Sequence, residues 1–249
     1  MSIIERYSPL NLAYKIIVVT NASSPVGVIV SNTLLKANAL VLGVDNKPKD
    51  DTLSASTYSH FQFWKCKLTD DNAVDEIIEY ATKVFKTDRI NGMVNLINAD
   101  DDADTLAAHE KLAARCAKIM EGGIDGGSVV TTVVQAANID AQASHAVGQL
   151  LKTNKQVSSE VSKDKVRCNI VAEGDKADAK PYEPYTEAQD HFNFLLKPRD
   201  DQYRPKVREI TDDIRAMFAF SNVILYLISG MSEGKDGIVL NRQGQLVQS

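Results

Sequence analysis

A chain of 249 residues, 44% hydrophobic and 24% charged, carries enough apolar material for one large α/β domain or two small ones. Its net charge of −5, with no dominant basic stripe in any segment, argues against a nucleic-acid binder, and no apolar run reaches membrane-span length. Cys66, Cys116 and Cys168 lie far apart without metal-ligand spacing, and "MSIIERYSPLNLAYK" lacks an apolar signal core, so free thiols in a cytoplasmic protein are expected.

In chain order, "KIIVVT" (Lys15 to Thr20) reads as a buried strand. A small polar loop follows, and "VGVIVSNTLLKANA" then has helical spacing, with Asn38 near its end. "LVLGVD" (Leu40 to Asp45) is a second strand and "FQFWKCKL" a third. "AVDEIIEYATKVFK" predicts a helix, "INGMVNLIN" a buried strand, "TLAAHEKLAARCAKIM" a helix and "GGSVVTTVV" a strand. "SHAVGQLLKTNKQVSSEV" predicts another helix and "KVRCNIVAEG" a sixth strand. From Asp175 to about Arg208 the chain turns rich in Lys, Asp, Pro and Tyr with no period, which reads as a long excursion over the cleft. "DDIRAMFAFSNVILYLIS" is a strongly apolar helix opening on an acidic pair, and "GIVLNRQG" a final strand.

Short Val/Ile runs separated by helical segments predict crossover units and a mainly parallel sheet covered on both faces. No internal repeat or linker divides the chain, so 1–249 is expected to form a single doubly wound, Rossmann-like α/β domain.

The order of these segments resembles the short-chain dehydrogenase/reductase family over nearly the whole chain. That family's first turn reads T-G-x-x-x-G-x-G. Here Thr20, Ala22, Ser23, Ser24 and Gly27 match a common version, while Asn21 and Pro25 replace two glycines. "INGMVN" is similar to the family's fourth strand, which precedes an N-A-G turn, and "GGSVV" to the strand leading to its catalytic serine. "VRCNIVAEG" is similar to R-V-N-x-V-A-P-G, with Glu173 in place of proline.

The resemblance implies a dinucleotide, NAD(P), at the first turn. Glycines there permit positive φ and close approach to phosphates. Asn21 tolerates a left-handed conformation, whereas Pro25 removes an N–H and fixes φ. Ser23 and Ser24 offer hydroxyls to a phosphate, Gly27 permits close helix–strand packing, and Thr20 completes the cofactor-side set. Asp45, eighteen positions after Gly27, is the expected ribose carboxylate and favours NAD over NADP. Lys47 and Lys49 counter that preference, and Lys67 stands where the family has an aspartate near the adenine. The N-A-G turn is represented by "NLINAD", whose register the sequence leaves open.

The family's reaction uses a tyrosine, a lysine four residues later and a serine on the preceding strand. Counting along "GGSVVTTVV" puts Val134 at the serine position. Alternation lets only one of Thr131 and Thr132 face the same way, and Thr132 and Val134 are the pocket candidates. Counting back from "EVSKDKVRCN" puts Ala143 and Val147, or in a shifted register His145 and Gln149, at the tyrosine and lysine positions. No tyrosine occurs between Tyr80 and Tyr182. An unperturbed tyrosine is already a poor base at neutral pH, and here even that residue is missing.

His145 is the candidate acid/base group, since histidine titrates near neutrality; its plainer reading is a surface or packing residue. Asp104 and Asp140 are candidates for the same cleft, or simply solvated. Tyr182, Tyr185 and His191, in the excursion, are pocket candidates for a bulky ligand. "DDDAD" (Asp100 to Asp104) has no spacing that specifies a cation, so no metal is expected.

These residues favour a diverged enzyme acting on a bulky small molecule by cyclisation, isomerisation or dehydration. The alternatives are a non-catalytic partner of an active homologue or a ligand sensor, and an NAD(P)H-dependent reductase with an unusual proton donor. Family-like homo-oligomers are expected, without nucleic-acid or membrane partners.

Overall fold

In the computed structural model the described residues are 8–49, 60–98, 101–134, 152, 154–162, 164–171, 212–240 and 246–248. Eight strands form one sheet: β1 (Ile16–Thr20), β2 (Leu40–Asp45), β3 (Phe61–Lys65), β4 (Gly92–Asn98), β5 (Gly127–Val134), β6 (Val166–Val171), β7 (Val239–Leu240) and β8 (Leu246–Gln248). Their spatial order is β3-β2-β1-β4-β5-β6-β7-β8. The pairs from β3 through β7 are parallel, and only β8 runs antiparallel, on β7. The order reverses between β1 and β4. Crossovers leave that point in opposite directions, the arrangement that in such sheets places a crevice at the carboxyl ends of the strands.

The helices are α1 (Pro25–Lys36), α2 (Ala73–Phe85), α3 (Ala103–Gly122), α4 (described over 154–160) and α5 (Asp212–Ile228). Their caps explain their limits. Ser24 caps α1, its side chain accepting from Gly27 N–H, and Pro25 takes the first helical position, where a missing N–H costs nothing. Asp75 and Glu76 sit in the first turn of α2, where carboxylates favour the helix dipole, and a left-handed Lys86 ends it. Asp102 caps α3 through the Thr105 N–H.

The core has two layers. On one face, Ile17, Val19, Val41, Val94, Leu96 and Val130 pack with Val30 and Leu34 of α1 and Val223 to Ile228 of α5. On the other, Val18, Leu42, Met93, Val129 and Cys168 pack with Ile77 of α2, Leu112, Cys116 and Met120 of α3, and Val157 of α4. The sheet is therefore buried on both sides, as its continuous apolar strands require. All three cysteines are free thiols.

Two elements differ from the sequence reading. The first helix begins at Pro25 rather than near Gly27, because Ser24 supplies the cap and Pro25 fits the first turn. The segment "GIVLNRQG" is not the last strand. Its described residues contribute Val239–Leu240, and the chain returns as β8, whose three residues are too few to show a period. The excursion at 175–208 lies outside the described residues, as does most of the helix foreseen before Asn154. Among the described residues no helix is long and apolar enough to cross a membrane.

Candidate functional site

The crevice edge is built from two turns, the one after β1 and the one after β4. Thr20 closes β1 and is fully buried. Its hydroxyl accepts from Leu96 N–H at 2.8 Å and donates to Leu96 O at 3.1 Å, which continues the β1–β4 contact one step past the last paired residues. Asn21 follows with φ 48° and donates its side-chain amide to Leu96 O at 2.7 Å. Asparagine thus supplies the left-handed conformation that glycine usually provides, and adds a second tie to β4.

The next residues fold the chain back on itself. Ser24 donates its hydroxyl to Asn21 O at 2.7 Å and accepts from Gly27 N–H at 3.0 Å. A Cβ on Gly27 would lie 2.2 Å from Asn21 O and 2.8 Å from Ala22 Cα, so the helix approaches the turn as closely as a backbone can. The same economy holds at Gly43 in β2, where a Cβ would stand 2.9 Å from Ala22 Cβ.

Asp45 ends β2 with only 5% of its surface exposed. One carboxylate oxygen accepts from Ser23 N–H and the other from Lys47 N–H, both at 2.9 Å. It therefore ties the first turn to the end of β2. Each oxygen keeps a further lone pair for a hydroxyl donor. Cys66, one residue past β3, donates its N–H to Asp45 O, and its thiol is pushed up to about 11, first by burial and then by the nearby Asp70, Glu76 and Asp45 carboxylates. That thiol is not a nucleophile near neutrality.

The second turn begins where β4 ends, at Asn98. Asn95 is buried inside the strand, whereas Asn98 sits at its tip, so of the asparagines in "NLINAD" only Asn98 borders the crevice. Asp101 holds that tip, accepting from Asn98 N–H at 2.9 Å and from Asn98 Nδ2 at 3.2 Å. Asp102 serves as the cap of α3 and Asp104 lies in its first turn, so these two members of the acidic run belong to a helix start. Among the described residues no group of three or more His, Cys, Asp or Glu is placed to hold a metal ion.

Behind these turns lies a histidine that the motif reading passed over. His109 of α3 is 2% exposed, its Nδ1 is 2.7 Å from Asn95 Oδ1, and its Nε2 is 3.7 Å from Asp101 Oδ2. Burial holds the imidazole down to about 4, outweighing the opposing pull of the Asp101 carboxylate. A sequence signal was present. His109 stands in the buried stripe that continues as Leu112, Ala113, Cys116, Ala117 and Met120, an apolar face where a histidine needs a partner.

The remaining candidates are less connected. Thr132 is buried in β5, opposite Leu96, and alternation puts it on the side of Val130, facing the α1 and α5 layer. Val134 is the last residue of β5, paired with Asn98. His145, Asp140, Tyr182, Tyr185 and His191 lie outside the described residues. The structure thus brings Thr20, Ser23, Ser24, Gly27 and Asp45 into one turn, with the hydroxyls of Thr20 and Ser24 already engaged within the chain.

No protein-family profile matches the sequence. The short chain dehydrogenase ausX of Aspergillus calidoustus is 30% identical over 186 residues, spanning 66% of this chain and 70% of that protein. The chain belongs to the short-chain dehydrogenase family. The short chain dehydrogenase ple7 of Rhodocybe pseudopiperita is 27% identical over 262 residues, covering 91% of this chain and 95% of its own length. Among solved structures, a hydroxysteroid dehydrogenase from Escherichia coli superposes with a TM-score of 0.62 at 18% identity, over 96% of this chain and 99% of that one. A short-chain type dehydrogenase/reductase from Mycobacterium marinum does so with a TM-score of 0.63, also at 18% identity, over 97% and 98%. These structural likenesses establish the fold.

Does the family's dinucleotide fit the residues present? The turn keeps the left-handed residue, the bare Gly27 and the carboxylate at the end of β2. Ser23 Oγ is buried with no hydrogen-bond partner among the described residues, a donor left over for a ligand. Pro25 gives no N–H and that of Gly27 is spent on Ser24, so phosphate contacts are fewer than in a glycine-rich turn. The fit holds, with a reduced donor set.

Proposed function

We propose that this chain is a short-chain dehydrogenase family member whose crevice binds NAD(P) and a bulky small molecule. It converts that molecule by cyclisation, isomerisation or dehydration, without tyrosine-based hydride transfer. One contrast supports this reading. The first turn retains its backbone geometry despite two lost glycines, while no tyrosine exists between Tyr80 and Tyr182 to serve as the family's proton donor.

In this mechanism Asp45 accepts the ribose hydroxyls with its remaining lone pairs, which disfavours a 2′-phosphate. Lys47 and Lys49 act in the opposite sense. Ser23 donates to the pyrophosphate, and the start of α1 lends its positive end. The nicotinamide, when bound, supplies hydride-transfer capacity; the chain's own residues supply binding, orientation and exclusion of water. His145 is the proposed acid/base group, with Thr132, Val134, Tyr182 and Tyr185 shaping the pocket under the excursion at 175–208. A cytoplasmic setting belongs to the same reading, supported by three free thiols, as does homo-oligomerisation or pairing with an active homologue.

Calorimetric titration with NADH and NADPH, paired with a hydride-turnover assay, tests the proposal. Saturable binding that favours NADH, without oxidation of the nucleotide, is expected. Tight binding with turnover would replace it by the reading of a reductase with an unusual proton donor, which the names of the relatives favour. A His145→Ala variant that kept every discovered activity would remove the acid/base role. A second reading, a non-catalytic partner or ligand sensor, draws on Ser24, Gly27 N–H and Asp45, whose hydrogen bonds are made within the chain. Absence of both nucleotide binding and small-molecule turnover would favour it.

A further inference from the structure

The two turns that border the crevice are not independent. Thr20 and Asn21 of the first turn hold the Leu96 peptide of β4, one through its hydroxyl and the other through its side-chain amide. Asn98, at the end of the same strand, is held by both oxygens of Asp101. Between these fastenings stands His109. It faces Asn95, the neighbour of Leu96, on one side and Asp101 on the other. Asn95 Oδ1 also lies 3.4 Å from the Thr20 hydroxyl, so a single buried ring touches the supports of both turns.

A buried imidazole is a costly choice for packing alone. The apolar neighbours Leu112, Ala113 and Cys116 continue the same helix face, and leucine at position 109 would extend that stripe without desolvating a polar group. What histidine adds is one ring N–H for Asn95 Oδ1; the neutral ring's second nitrogen carries no proton and only packs beside the Asp101 carboxylate, 3.7 Å away. Asn95 faces α3 from the middle of β4, and Asp101 comes from the connection between β4 and α3.

We propose that His109 is a positioning residue of the nucleotide site, hydrogen-bonding the Asn95–Leu96 segment and packing against the Asp101 that holds Asn98, so that both sides of the crevice keep their spacing. This rests on the reading that the crevice binds a dinucleotide. His109 does not touch the nucleotide. It acts through the backbone of β4, and a nucleotide that contacts both turns gains affinity from the fixed distance between them.

Two substitutions separate this role from plain packing. His109→Leu keeps the volume and removes the hydrogen bond to Asn95, whereas His109→Gln keeps a donor within reach of Asn95. With the full chain and NADH as the probe, followed by nicotinamide fluorescence, the leucine variant should melt cooperatively yet bind about tenfold more weakly, the size of one lost hydrogen bond. The glutamine variant should stay within about threefold of the parent, a recovery that a purely volumetric role would not give. In the nucleotide-free chain, amide exchange at Leu96 and Asn98 should quicken together in the leucine variant and not in the glutamine one.

A folded leucine variant that binds NADH as the parent does would overturn the proposal, as would equal weakening in both variants. If the parent itself binds no NADH, the dinucleotide reading fails, and amide exchange then decides the bracing alone. Unchanged exchange at both amides would overturn it.

Discussion

The two edges of the sheet differ in what their polar groups are free to do. At the amino-terminal edge of the strands lie cavities of about 260 and 240 Å³, lined by residues such as Lys15, Arg89, Asn91, Asp125 and Arg167. Tyr14 and Ile124 project there, 89% and 85% exposed, beside a Lys15–Asp125 ion pair that is itself half in solvent. Among the described residues the carboxyl-terminal edge has Thr20, His109 and Asp45 buried and hydrogen-bonded within the chain, while Ser23 Oγ and Asn95 Nδ2 are buried without a partner. The first edge is held by contacts that water can replace; at the second, buried hydrogen bonds hold the backbone. The placement of buried donors and acceptors, not the volume of those two cavities, marks the candidate site.

That contrast can be broken at several points. The largest effect is expected at Gly27, where a side chain must displace Asn21 O: Gly27→Val should cost about 3 kcal/mol or more in chemical denaturation and abolish NADH binding. Comparable in size is the pH dependence set by His109. Its folded-state value of about 4, against an ordinary 6.5, means that the unfolded chain takes up a proton first. Stability should be full above that ordinary value and fall as pH drops towards the folded value, by roughly 3 kcal/mol in total. His109→Gln should remove this slope, and a parent chain whose stability stayed level across the same window would refute it.

Asp45→Ala should lower stability by about 2 kcal/mol, since two backbone N–H groups lose their acceptor, and should weaken NADH binding further. Asn21 gives a finer reading: Asn21→Gly should be tolerated, while Asn21→Ala should cost about 1 kcal/mol through its positive φ. At the opposite edge Lys15→Ala should change stability by less than about 1 kcal/mol, because the pair is solvent-screened. A large loss there would undo the comparison.

Much of the fold was legible because each crossover leaves a local mark. "KIIVVT", "LVLGVD" and "INGMVNLIN" are short apolar runs with a helix between each pair, and their order implies the parallel sheet. The strand β8 was not legible, since three residues carry no period and their partner β7 is only two residues long. At the site, Gly27 and Asp45 could be named from spacing, and Asn21 from its tolerance of positive φ. Pro25 looked disruptive in the sequence, yet it stands at the one helical position where its missing N–H is harmless. The brace formed by Asn95, Asp101 and His109 was out of reach. Its members are six to fourteen positions apart, and only the packing of α3 on β4 makes them neighbours.

The most direct test is NADH fluorescence titrated into the full chain and into Gly27→Val side by side, with the nucleotide then watched over time in the presence of a bulky ketone. Saturable emission is expected in the parent and not in the variant, with NADH left unconsumed. Emission that is equal in the two chains, or NADH that is oxidised as the ketone is reduced, would contradict a preserved turn serving a site without tyrosine-based hydride transfer.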